Sequence, residues 1–77
     1  MKKYTIEHVD GNNFYVCGGE DPYINREYTT NMRKPTNMQN MLDNIVYQVR
    51  YDADLLEYDW LIFDDGNGCF TLEIWDD

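Results

Sequence analysis

Residues 36–51, TNMQNMLDNIVYQVRY, place apolar side chains at Met38, Met41, Leu42, Ile45, Val46 and Val49. That i, i+3, i+4, i+7 spacing is one face of an α-helix, with Gln39, Asn40, Asp43, Asn44, Gln48 and Arg50 opposite. Thr36 to Gln39 at the start of the stretch fits a capping box, in which the Thr36 hydroxyl takes an orphan amide and Gln39 reaches back to the cap. The expected helix spans 36–51 and turns Leu42, Ile45 and Val49 to a core. Ala53 and Leu56 would continue its apolar stripe. Asp52, Asp54 and Glu57, however, fall where the helix dipole is negative and cations are favoured by about 0.3–1 kcal/mol each. Such an arrangement points either to an early helix end or to selection for something other than stability.

On each side of the helix lies a β-prone pair of segments. In YTIEHV, residues 4–9, Tyr4 and Ile6 share one face and Thr5 and Glu7 the other, the period of two of a half-buried strand. DGNN at 10–13 is turn chemistry and FYVC at 14–17 resumes the β pattern, so 4–17 reads as a hairpin. Residues 18–35 hold two glycines, two prolines and no sustained period, which makes them mostly loop, although REYTT at 26–30 can supply a short edge strand. After the helix, YDWLIF at 58–63 and FTLEIW at 70–75 flank DDGNGC, a second hairpin within the segment 51–77. The expected fold is α+β: one small domain over residues 1–77, two antiparallel β-hairpins packed on one amphipathic helix in the order ββ-α-ββ. Pairing between the hairpins is left open by the periodicities.

The net charge of the 77 residues is −9, and all of it sits in one place. From Tyr51 to Asp77 there are nine acids and no lysine or arginine, whereas the six acids of residues 1–50 are balanced by six bases. Carboxylates two residues apart on a strand face stand about 6–7 Å from each other. Each such pair repels by roughly 0.6 kcal/mol in water before screening. Against the 5–15 kcal/mol or so that holds a small domain together, a few kcal/mol of repulsion is a substantial load. A face that served only solubility needs no such segregation, since a few interspersed lysines would relieve it. The acids also alternate with Leu55, Leu56, Trp60, Leu61, Ile62, Phe63, Phe70, Leu72, Ile74 and Trp75, so the segment is folded rather than a solvated tail. Acids beside Tyr51, Tyr58, Trp60 and Trp75 would give a basic partner both long-range steering and amphipathic anchors.

Other chemistries find little support. A pI near 4.2 argues against direct binding to nucleic acid or to an anionic membrane. No apolar run reaches signal-peptide or membrane-span length, so the chain is expected in the cytoplasm. Cys17 and Cys69 are expected to be reduced, core-lining thiols. With His8 they make three scattered metal-ligand candidates without the paired spacing of a zinc site, and His8 reads as an ordinary strand residue. DDGNG offers two calcium-loop registers: Gly68 as the sixth residue makes Phe63 first and Ile74 twelfth, and Gly66 makes them Leu61 and Leu72, so neither supplies the carboxylates. Gly18-Gly19 lacks the strand, helix and lysine of a phosphate loop. No nucleophile and base carry a local signature, and the expected protein is not an enzyme and holds no cofactor or metal.

The size of the chain, with the acidic-aromatic text YDADLLEYD and EIWDD, resembles the small phage-encoded inhibitors of host defence, the anti-CRISPR proteins and anti-restriction DNA mimics. The resemblance implies a cofactor-free, one-to-one blocker. It would act in the host cytoplasm and occupy the basic DNA channel or recognition site of a nuclease or CRISPR effector by mimicking DNA charge. The partner-binding residues expected on this reading are Asp52, Asp54, Glu57, Asp59, Asp64, Asp65, Asp76 and Asp77, with Tyr58 and Trp75 as aromatic anchors. Two alternatives share the electrostatics: an immunity protein neutralising a basic toxin nuclease, and a non-catalytic assembly subunit docking through its acidic face.

Overall fold

Helix α1, Met38–Asp52, begins one step later than the expected cap in the computed structural model, which describes residues 1–32 and 36–77. Its N-cap is Asn37 instead of Thr36, and the Asn37 Oδ1 accepts the Asn40 amide at 2.8 Å. Asparagine ranks at least as high as threonine at this position, so an equally good acceptor one residue along takes the role. The helix ends at Asp52, within one residue of the expected end, and does not follow the apolar stripe on to Ala53 and Leu56. Past the C-cap Ala53, Asp54 turns left-handed at φ 59°, the Leu55 amide donates to Arg50 O at 2.8 Å and the Asp54 amide to Tyr51 O at 3.1 Å. That pair of bonds is a Schellman motif, and Leu55 is buried as its hydrophobic plug.

Five strands make one antiparallel sheet: β1 Lys2–Asp10, β2 Asn13–Cys17, β3 Arg26–Thr29, β4 Asp59–Gly66 and β5 Cys69–Trp75. Their spatial order is β3-β2-β1-β5-β4. The two hairpins, β1–β2 and β4–β5, are fused through β1 and β5, whose register runs from Lys2↔Ile74 to Glu7↔Cys69. The architecture is therefore the expected α+β arrangement, with the REYTT segment adding β3 at one edge. The last three residues of the expected 18–35 loop lie outside the described residues. The second turn is tighter than DDGNGC suggested. Gly66 pairs with Cys69, leaving only Asn67 at φ 56° and Gly68 at φ 76°, both in the region that two-residue hairpin turns of the primed type require.

One face of the sheet receives α1. Tyr4 and Ile6 on β1, Phe14 and Val16 on β2, Tyr28 on β3 and Phe70, Leu72 and Ile74 on β5 are buried against Met41, Leu42, Ile45, Val46 and Val49 of the helix. Ile24, in the segment before β3, is fully buried among them and pins that segment to the core. Trp60 and Ile62 of β4 face the same side and are half-buried, because β4 lies at the sheet margin where the helix covers less.

The opposite face of the sheet is bare of any second layer among the described residues. Cys17 and Cys69 lie on it, opposite Thr5 and Glu7 of β1. They are free and half-buried, so the expectation of core-lining thiols is corrected. Strand parity turns their side chains away from the helix, and they occupy different rows two strands apart.

Candidate interaction surface

Strand alternation in β4 carries apolar residues to both faces. If Trp60 and Ile62 point to the helix, Leu61 and Phe63 must point the other way. They do, 51% and 45% exposed, together with Trp75 of β5 at 46%. The registers arrange this outer face in rows. Asp59 is opposite Trp75; Leu61 is opposite Glu73, which is opposite Lys3; Phe63 is opposite Thr71, which is opposite Thr5. Lys3 Nζ stands 3.5 Å from Glu73 Oε2, and Thr71 Oγ1 donates to Asp65 Oδ2 at 2.5 Å. The result is a surface in which exposed Leu61, Phe63 and Trp75 are interleaved with Asp59, Asp65 and Glu73.

The ten residues expected from the sequence are not all gathered there. Glu57, Tyr58, Asp59 and Trp75 line one open groove of about 630 Å³, which wraps the start of β4. Arg50 forms its inner wall: its guanidinium lies 5.5 Å above the Trp60 ring and donates to Leu56 O at 2.6 Å and Tyr58 O at 3.4 Å. Asp76 and Asp77 follow Trp75 at the same end of the sheet. The α-amino group of Met1 lies 2.9 Å from Asp76 and 3.5 Å from Asp77. The hydrogen bond from that amine holds the Asp76 carboxyl below the usual carboxylate range. In return, the amine is held above its ordinary value by Asp76.

Asp64 and Asp65 stand at the other end of β4, about 17–20 Å away along the strand. Asp64 accepts the Gly66 amide at 2.9 Å and lines a shallow cavity with Met38 and Leu42 on the helix side. Asp54 is the left-handed residue of the Schellman turn. Asp52 is turned across α1 toward β3, 2.7 Å from Arg26 Nη2 and 2.8 Å from Tyr28 Oη. Its carboxylate is therefore committed to structure. Burial first, and then this bond to Asp52, raises the Tyr28 phenol well above the ordinary tyrosine range.

Leu61 and Phe63 are the surface residues that sequence reasoning missed. The signal was present in DWLIFD: apolar residues at four consecutive positions cannot all be buried on one face of a strand.

As for chemistry, the sheet separates the candidates. His8 is on the helix side, its ring 4.9 Å from that of Phe14 and its Nε2 3.0 Å from Gly11 O, whereas both thiols are on the outer side. Among the described residues, no three His, Cys, Asp or Glu side chains gather as a metal ion would need. No described helix is long and apolar enough to cross a membrane. Compared with known proteins, the chain matches no family model, no curated protein and no solved structure.

Proposed function

We propose that the chain is an acidic, stoichiometric inhibitor that covers the nucleic-acid-binding site of a basic protein, a defence nuclease or CRISPR effector, by presenting negative charge in place of DNA. The observation that carries this reading is the outer face of β4 and β5. Three large apolar side chains stand about half exposed there, among carboxylates, on strands held rigid by the sheet. Desolvated aromatic and aliphatic anchors supply affinity at protein interfaces, and surrounding charge supplies orientation and association rate. A solubility surface would carry the charge without the anchors.

Asp59, Asp65, Trp75, Leu61 and Phe63 are the contact residues on this reading, with Glu57, Tyr58, Asp76 and Asp77 at the adjoining end. Asp52 is assigned a structural role instead. The test is competition. For a basic protein captured from a host lysate on the immobilised chain, excess duplex DNA displaces the chain, and the chain displaces DNA. Added salt weakens the complex, and Asp59→Lys with Asp65→Lys weakens it chiefly through the association rate. Simultaneous binding of DNA and chain with undiminished affinity overturns the proposal in favour of a scaffolding role.

A further inference from the structure

We propose that the free edge of β4 accepts an extended, basic segment of the partner as a sixth strand. This rests on the reading of the chain as a binder of a basic protein, and it specifies how part of that protein is held. An edge strand exposes a row of unpaired amides and carbonyls, which another chain can complete.

The two edges of this sheet are treated differently. At the β3 edge the strand is only four residues long. Two of its four carbonyls are already engaged by side chains, Thr29 O by Gln48 Nε2 at 2.9 Å and Glu27 O by the Arg26 guanidinium at 3.3 Å. At the β4 edge, eight residues run from Asp59 to Gly66, every one of them exposed or half-exposed. Among the described residues, the only backbone group of β4 with a partner outside the β5 ladder is the Gly66 amide at its far end, which donates to Asp64 Oδ1, so the edge from Asp59 to Asp65 is free. The strand has no proline, and its middle, Leu61-Ile62-Phe63, is apolar and β-prone.

Charge selects the occupant. If a second copy of this chain paired antiparallel through the same apolar middle, Asp59 would fall opposite Asp65 or Asp64 in the two central registers, and like charges directly opposite are destabilising. Self-association through this edge is therefore opposed at both ends of the strand. A strand with lysine or arginine near its ends and β-branched residues between them would instead meet Asp59 at one end and Asp64 and Asp65 at the other. The groove around Glu57, Asp59 and Trp75 would receive one of its basic side chains.

The probe is a synthetic peptide, KRVTVTRK, titrated against the whole protein. Both tryptophans of the chain, Trp60 and Trp75, lie at the start of this edge and report binding by their emission. Amide exchange reports which strand is covered. The expected result is slower exchange in β4 and at least a tenfold loss of affinity for the charge-reversed peptide EDVTVTDE. Two further forms of KRVTVTRK carry N-methyl groups on the odd or on the even amides. Only alternate amides of an added strand face the sheet, so one form should lose binding and the other keep it. Equal behaviour of the two methylated forms, or equal binding of the charge-reversed peptide, overturns the edge pairing. Should the peptides fail to bind while the protein still excludes DNA from its captured partner, the edge pairing falls and the proposed function stands.

Discussion

The phenol of Tyr28 donates to Asp52 Oδ2 at 2.8 Å, tying the last turn of α1 to the edge strand β3. Arg26 reaches the same oxygen at 2.7 Å while lying 3.9 Å from the centre of the Tyr28 ring. One carboxylate thus closes the helix against the sheet.

Replacement of Asp52 by alanine leaves the buried Tyr28 hydroxyl without its acceptor, and is expected to cost about 1–3 kcal/mol in urea unfolding. Arg26→Ala is expected to cost under about 1 kcal/mol, because the guanidinium is half exposed and its attraction is screened. Equal stability of Asp52→Ala and the parent protein would show that the bond contributes nothing.

Asp54 supplies the left-handed residue of the Schellman turn at φ 59°, where glycine has no steric cost, and does so beside the negative end of the helix dipole. Asp54→Gly is expected to stabilise the protein by roughly 1 kcal/mol, read as a higher thermal midpoint. Asp54→Val, β-branched at the same φ, is expected to lower it.

Leu42 and Ile45 fill the helix–sheet core, and Leu61 and Phe63 do not. Leu42→Ala or Ile45→Ala should therefore cost about 2–5 kcal/mol. Leu61→Ala and Phe63→Ala should stay within about 1 kcal/mol of the parent protein, while weakening partner capture. A reversed pattern, with Phe63→Ala unfolding the protein, would place Phe63 in the core and remove it from the proposed surface.

Stability should decline on both sides of neutrality. The Asp76 carboxyl is held below its ordinary value by the Met1 amine, so its contribution is present above the unfolded carboxylate value, near pH 4, and lost as pH falls through the folded one. The Met1 amine, raised by Asp76, contributes below pH 8 and loses that contribution as pH rises through its folded value. Tyr28, raised by burial and by Asp52, and Tyr4, raised chiefly by burial, act further up: unfolded phenols ionise near pH 10 while these two stay protonated, so stability falls beyond it. Denaturant midpoints measured from pH 3 to pH 11 check the shape. Blocking the α-amino group should remove the loss that sets in above pH 8, together with the Asp76 contribution on the acid side, and leave the decline beyond pH 10.

Much of this architecture was legible in residue spacing. The period of α1 identified Leu42, Ile45 and Val49, and alternation placed Tyr4 with Ile6. The two hairpins were legible too, but which of their strands would meet was not, because β1 and β5 pair through side chains that would suit any apolar neighbour. Nor was the core role of Ile24, an isolated apolar residue in a segment without period. Charge counting found the acidic segment but not its geometry. Asp52 and Asp64 turn toward the helix side and Asp59 and Asp65 away from it, because position along a chain says nothing of face until the register is known. The ion pair between Asp52 and Arg26 joins residues from opposite sides of the charge divide, and no local pattern announces it.

The seam between β1 and β5 has a consequence for how the chain reaches this state. Each hairpin closes over a two-residue turn and can form in about 1–10 μs, but the seam joins partners 62 to 72 positions apart. The entropy of closing so long a loop is met before any seam bond forms, and such topologies fold slowly for their size. On a ribosome the first hairpin would wait, with β1 as a raw edge, until β5 has been made. The segment from Tyr51 on, which brings β5 and completes the sheet, also brings all of the surplus negative charge, so repulsion between copies of the chain arises only as β1 is about to be covered.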